Sequence, residues 1–473
     1  MARLAIRSFC TWSPVVDPVR TPVDLSCVPP SLVFVRNLDR GGFGRVELVK
    51  DKKSDAKFAR KVFDPKPEVL AGTTLEKLKQ RFRREVLVQS RLSRDLFIPI
   101  IASDLDADEP WFTMPLADQN YDRKIEADRA AGTVDAAALA DILAALEELH
   151  GLGLVHRDLK PSNILLHEGR WKLSDFGLVL PLGEETTTTL TSVNSAWGSK
   201  LYCAPEQLVN FHSATFPADI YSFGCILHDV VSEDDEVHFP YQQATCAGPL
   251  GAIIEKCTEP NPKKRFQAVA DLRGVLLKAL AKKRPAPSQK AADWVKSLEN
   301  VAGWDAARVK DLVRSVRRAE DDTDRANVLD ALDERKLAAL HDKDPDVWEE
   351  LAGHYCTWVA ATGFDYEYCD VLVRRLECIF DLGSVSVKAA AALAAAELAR
   401  SHNRWFVMRR LMSMCSPRLD ENVAERIAIE IVAEKAQYAF TVCANRIDRS
   451  LGDYHPALAE VLKEFEKTHG KAV

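Results

Sequence analysis

"LVHRDLKPSNILL", residues 154–166, decides how the rest of the chain is read. Asp158 stands two residues before Lys160 and five before Asn163, so one rigid loop can hold all three polar groups. Working outward, "KLSDFGLV" (172–179) carries Asp175-Phe176-Gly177, and "GSKLYCAPEQL" (198–208) carries Ala204-Pro205-Glu206. Further on come "ADIYSFG" with Asp219 and "PNPKKRF" with Arg265. Upstream lie "LDRGGFGRVELV" (38–49), "FARK" ending in Lys61, and "RREV" containing Glu85. Singly, each has an ordinary reading. A lysine on a strand is usually a solvated charge, a glutamate on a helix is usually a surface charge, and an aspartate before Phe-Gly is often a turn acid. Jointly and in this order, the ordinary readings lose their force.

In order and approximate spacing, these motifs over residues 31–282 resemble those of the eukaryotic-type (Hanks-type) serine/threonine protein kinase family. The resemblance implies phosphoryl transfer from ATP, with Mg²⁺ or Mn²⁺, to hydroxyls on a protein. That chemistry asks for positioning and charge neutralisation more than covalent work. By resemblance, Asp158 orients the attacking hydroxyl, and Lys160 and Asn163 share the catalytic loop. Asn163 and Asp175 supply oxygen ligands to the metal. Lys61 holds the α- and β-phosphates, and Glu85 fixes Lys61. Gly41, Phe43, Gly44, Val46, Ala59, Met114, Leu116 and Leu165 fall at nucleotide-contacting positions. His156, Arg157, Phe176, Gly177, Glu206, Asp219 and Arg265 fall at structural ones, Glu206 pairing with Arg265 and Asp219 bracing the catalytic loop.

The chain departs from the family pattern at Asp39, where the first loop glycine is expected. Two unit charges about 4 Å apart feel about 4 kcal/mol at an effective dielectric near 20, so an acid there weakens ATP binding unless a cation offsets it or it faces solvent. Gly41 and Gly44 remain, and would let the backbone approach phosphates. Lys160 resembles the serine/threonine branch, and Ser199 replaces a threonine in "GSKLYCAPE". The hydroxyl-rich stretch 183–198 offers Thr186, Thr187, Thr188, Thr189, Thr191, Ser192 and Ser195 for autophosphorylation, with Arg157 as a phosphate partner. A polar loop is the plainer reading. The acidic stretch 232–248 reads as a solvated loop or a docking site for basic partners.

The 473 residues suffice for two or three domains. A net charge of -7 offers no basic excess for nucleic acid. The 11 cysteines form no C-x-x-C pair and read as reduced thiols. No stretch reaches membrane-spanning length. The alanine-rich 389–399 reads as a closely packed helix, and the arginines of "MARLAIRSFCTW" lack the apolar core of a signal peptide. A cytoplasmic protein is expected.

The expected fold is α+β, a bilobal kinase fold followed by an all-α domain. Prolines mark residues 1–30 as an extended arm. The N-lobe is expected over 31–118 and the helical C-lobe over 119–283, with a linker at 284–290 and helices through 291–473. Strands are expected at "SLVFVRNL", "GRVELVKD", "KFARKVF", "FIPIIAS" and "PWFTMPL", and helices at 75–92 and 135–151, the latter stopped by Gly151. The C-terminal helices suggest a regulatory or partner-binding domain, possible repeats included. A nucleotide-gated pseudokinase scaffold is the alternative reading; it usually lacks one of Lys61, Asp158, Asn163 or Asp175.

Overall fold

A computed structural model describes residues 32–70, 74–181, 200–209, 214–232, 238–248, 250–281 and 285–470. They divide into two compact units that part between Ala279 and Leu280.

The first unit opens with a β-rich lobe. Strands β1 (Leu32–Arg40), β2 (Gly44–Asp51), β3 (Lys57–Phe63), β4 (Ala102–Asp104) and β5 (Trp111–Pro115) form one sheet in the order β1-β2-β3-β5-β4. Every pairing is antiparallel. Helix α1 (Leu75–Gln89) follows β3 in the chain. Thr74 caps it by accepting the Lys77 N–H, which satisfies one of the orphan donors of the first turn. Its buried face is Leu78, Phe82, Glu85, Val86 and Gln89, the spacing of one side of a helix. Leu78, Phe82 and Val86 join Phe63, Val69, Ile100 and Phe112 in one core. Leu75 is exposed, and the helix ends at Ser90 before Leu92.

The second lobe is helical. Helix α2 (Tyr121–Ala131) starts from Asn120, whose side chain accepts the Arg123 N–H. Helix α3 (Ala136–Gly151) is buried almost all round rather than along a stripe, from Ala138 through Leu146 and at Leu149. Such a helix belongs in the middle of its lobe. Gly151 is its last residue and Leu152 its cap, and the left-handed turn follows on Gly153, at φ +72°. The strand expected at 97–103 is mostly not a strand. Only Ala102 to Asp104 join the sheet, and Phe97 makes an isolated bridge to Leu173. Phe97, Ile98 and Ile100 are apolar because they are buried between elements. A small three-stranded sheet (Gln119–Asn120, Ile164–His167, Arg170–Leu173) holds the end of the 154–166 motif. Helix α4 (Phe216–Val231), with Pro217 in its first turn, is likewise buried nearly throughout.

The second unit is all helix. The helix Gln289–Ser297 begins inside the stretch expected as linker, because Ser288 caps it. The alanine-rich helix Val385–His402 packs against Pro345–Ala361, Cys369–Leu382, Trp405–Met414, Glu421–Ala433 and Gln437–Arg446. Ala391, Ala392 and Ala394 to Ala396 are buried there; short side chains let neighbouring backbones come close. Asn403 ends it in the left-handed conformation. Arg404 and Asp370 form a doubly hydrogen-bonded ion pair at 2.8 and 2.5 Å, both almost fully buried. Among the described residues, no helix is long and apolar enough to cross a membrane.

Candidate active site

Register sets which side chains of β2, β3 and β5 share a face of the sheet. Val46 lies opposite Lys61, Leu48 opposite Ala59, Ala59 opposite Met114 and Lys61 opposite Phe112. Residues opposite one another, and every second residue, share a face. Val46, Ala59, Lys61 and Met114 therefore share one face. Leu116 follows β5, and Leu165 pairs with Asn120 in the small sheet.

At the hairpin tip the Gly41 N–H donates to the Gly44 carbonyl at 2.9 Å. Gly44 is required by the sheet itself. A Cβ there would sit 2.4 Å from the Val62 carbonyl oxygen, while one on Gly41 meets nothing closer than 3.8 Å. Gly44→Ala is therefore expected to push β2 off β3, destabilise the chain by roughly 1–3 kcal/mol and raise the ATP KM, whereas Gly41→Ala is expected to leave stability nearly unchanged. Urea unfolding and nucleotide titrations of both variants check this. Asp39 is exposed, and its carboxylate accepts the Arg40 N–H at 2.7 Å. The Arg40 guanidinium pairs with Asp64 at 3.0 Å.

Phe43 folds inward onto the α1 core, and the Arg81 guanidinium lies over its ring at 4.0 Å. Arg81 also donates to the Gly177 carbonyl. Burial pushes its pKa down to about 10, against the pull of Asp175, Glu85 and Asp158. Sequence reasoning missed this residue. It sits four positions before Glu85, on the same side of α1, and that spacing was the available signal.

The three motif segments converge on Lys61. Its ammonium reaches Glu85 at 2.6 Å and Asp175 at 3.1 Å. Burial disfavours the charged lysine, but Asp175 and Glu85 outweigh it and hold the pKa above the ordinary lysine value. Burial likewise opposes the Asp175 charge, and Lys61 and Lys160 overcome it, holding the carboxyl well below the usual range. Asp175 has φ +60°, a conformation non-glycine residues adopt only when surroundings enforce it. Here the Gly177 N–H donates to Asp175 Oδ1 at 3.3 Å, and Phe176 is buried against Phe97 and His156.

Asp158 Oδ2 accepts from Lys160 at 2.9 Å and from the Asn163 amide at 3.2 Å. The same Asn163 nitrogen donates to the Asp158 carbonyl at 2.8 Å. With both amide hydrogens so used, only the side-chain carbonyl oxygen of Asn163 remains to meet a ligand. That oxygen and Asp175 Oδ2 are the hard donors a divalent magnesium ion takes, so the residues present fit that group.

Behind the loop, Asp219 is fully buried. It accepts the His156 and Arg157 backbone N–H groups, each at 2.8 Å, and hydrogen-bonds His150 at 2.8 Å. Arg157, held at φ +68°, buries its side chain and donates to the Ala214 carbonyl. Glu206 and Arg265 form a bidentate pair at 2.7 and 2.8 Å. Gln207, also missed, accepts the Ala204 N–H and donates to the Arg157 carbonyl. It joins the segment ending in Glu206 to the catalytic loop. Ser199 and the candidates Thr186 to Thr189, Thr191, Ser192 and Ser195 lie outside the described residues, as do residues 1–31.

A family profile described as the protein kinase domain matches residues 32–295. The chain is 33% identical over 204 residues to 3-phosphoinositide-dependent protein kinase B of Dictyostelium discoideum, covering 42% of this chain and 22% of that protein. It is 30% identical over 213 residues to the human putative 3-phosphoinositide-dependent protein kinase 2, covering 43% and 50%. To the serine/threonine-protein kinase PknL of Mycobacterium tuberculosis it is 27% identical over 289 residues, covering 57% and 70%. The chain thus spans about a fifth to a half of the length of the first two relatives. Among solved structures it is similar to the Mycobacterium tuberculosis PknI kinase domain, at 22% identity and a TM-score of 0.40, covering 53% of this chain and 96% of that one. The matched profile takes in more than half of the residues, and the chain belongs to the protein kinase domain family.

Proposed function

We propose that the protein is a serine/threonine kinase that moves the γ-phosphate of ATP to hydroxyls on other proteins. The observation that carries this reading is the junction of Lys61, Glu85 and Asp175 beside the Asp158–Asn163 loop. A lysine ammonium has three N–H donors. Glu85 and Asp175 use two, which leaves the third for an α- or β-phosphate oxygen. Val46, Ala59, Met114, Leu116 and Leu165 enclose the base in this reading, beneath the loop of Gly41, Phe43 and Gly44. Bound magnesium supplies charge neutralisation across the β- and γ-phosphates. Asn163 Oδ1 and Asp175 Oδ2 are the proposed metal ligands. Lys160 and Asn163 hold Asp158 by its Oδ2, and its Oδ1 takes the proton of the acceptor hydroxyl. The hydroxyl oxygen bonds to the γ-phosphorus as the bond to the β-bridging oxygen breaks, and ADP leaves.

Lys160 supports serine and threonine as acceptors. Autophosphorylation among the hydroxyls of 183–198, and regulation or partner binding through residues 291–473, belong to the same reading. The test is to incubate the full chain with ATP, Mg²⁺ and peptide libraries and then analyse the phosphoamino acids. Phosphoserine and phosphothreonine are expected. Phosphotyrosine alone would overturn the acceptor assignment, and no transfer at all would overturn the kinase reading in favour of a scaffold.

A further inference from the structure

Helix α4 ends in a second cluster with chemistry of its own. His228 and Asp229 sit in its last turn, and His238 returns to them. A nitrogen of each imidazole and an oxygen of the carboxylate all lie within 4.8 Å of one another. The two histidine side chains are 3% exposed and Asp229 is 18% exposed.

Hydrogen bonds alone leave this cluster incomplete. His238 Nε2 is 3.1 Å from the Leu201 carbonyl oxygen, which can only accept, so Nε2 carries the hydrogen. A neutral His238 then has its lone pair on Nδ1. That nitrogen lies 2.9 Å from Asp229 Oδ1. The Tyr202 hydroxyl donates to Asp229 Oδ2 at 2.8 Å. Two facing acceptors repel, so a proton or a metal cation has to lie between them. His228 Nδ1 is 3.6 Å from the same oxygen and is buried with no hydrogen-bond partner. A proton on His238 would satisfy one imidazole and leave the other unanswered. One divalent cation answers both.

We infer that His228, Asp229 and His238 form a binding site for a divalent transition ion of the zinc class. Zinc bonds to imidazole nitrogen and carboxylate oxygen are about 2.0–2.2 Å, so ligand atoms around a tetrahedral ion stand roughly 3.3–3.5 Å apart. The two N···O separations straddle that value. The outer partners match as well. A zinc-bound histidine usually donates its other N–H to a carbonyl, as His238 does to Leu201, and a bound carboxylate is itself hydrogen-bonded, as Asp229 is by Tyr202. Three protein ligands leave a fourth position for water, reached past the partly exposed carboxylate. Leu201 and Tyr202 stand just before the Ala204-Pro205-Glu206 segment, with Cys203 between. The ion would pin that segment to α4 from behind, and its binding does not depend on phosphate transfer.

The test is a zinc titration of chelator-stripped full chain against a chromophoric competitor, with zinc-edge X-ray absorption on the loaded protein. One equivalent per chain is expected at a Kd below about 1 μM. The absorption spectrum is expected to show two imidazoles and oxygen at about 2.0–2.2 Å. His228→Gln and His238→Gln are each expected to weaken binding at least about tenfold, and Asp175→Asn to leave it unchanged. No stoichiometric binding below about 1 μM, sulfur in place of imidazole in the spectrum, or full binding by the double histidine variant would each overturn the site. The wild-type spectrum decides the matter even if a variant fails to fold.

Discussion

Asp158→Asn is expected to fold as the wild type does and to lose phosphate transfer by about 10²–10⁴-fold in kcat. The ATP KM is expected to stay within about threefold, because the interactions lost belong to the transition state and not to ground-state binding. The asparagine keeps the volume and still accepts from Lys160 and Asn163 through its carbonyl oxygen. What it loses is the charge and the proton acceptor. Steady-state kinetics with a peptide substrate, beside a melting curve, separate these effects. A kcat within about threefold of wild type would remove Asp158 from the proposed mechanism.

Arg404→Met is expected to lower stability by about 3–5 kcal/mol, the cost of breaking a buried ion pair from one side. Arg404 is 2% exposed and Asp370 is fully buried, so water cannot replace the guanidinium. The double variant Asp370→Leu, Arg404→Met is expected to recover most of the loss, since apolar groups of similar size carry no desolvation penalty. Urea unfolding of the full chain, followed by tryptophan fluorescence, reads both, and Trp405 reports from the neighbouring position. A loss below about 1 kcal/mol in the single variant would show that the pair is not closed to water.

The two-lobed unit was legible because its chemistry demands particular residue types at fixed intervals. Lys61, Glu85, Asp158, Asn163 and Asp175 announce one another in the sequence, and the structure brings them together. What stayed hidden depended on distant partners. The 97–103 run is apolar in the manner of a strand, yet it is buried by packing between elements. Period alone does not separate those cases. Gly151 is the last residue of its helix, as expected, but the left-handed turn that redirects the chain falls two residues later, at Gly153. Helix α2 has few apolar residues to mark its face, and its Asn120 cap and the Gly132 that ends it were the available signs. The Arg81 contact with Gly177 spans 96 residues and the Arg404 pair with Asp370 spans 34. No local pattern encodes either.

The brace behind the catalytic loop has a consequence for how the protein is made. The backbone N–H of Arg157 is held by a carboxylate 62 residues later in the chain. A nascent polypeptide that has emerged only as far as the 154–166 motif already contains Asp158 but not the anchor that shapes its loop. The shape of the loop is therefore set late in synthesis, once Asp219 has left the ribosome and α4 has docked beneath it.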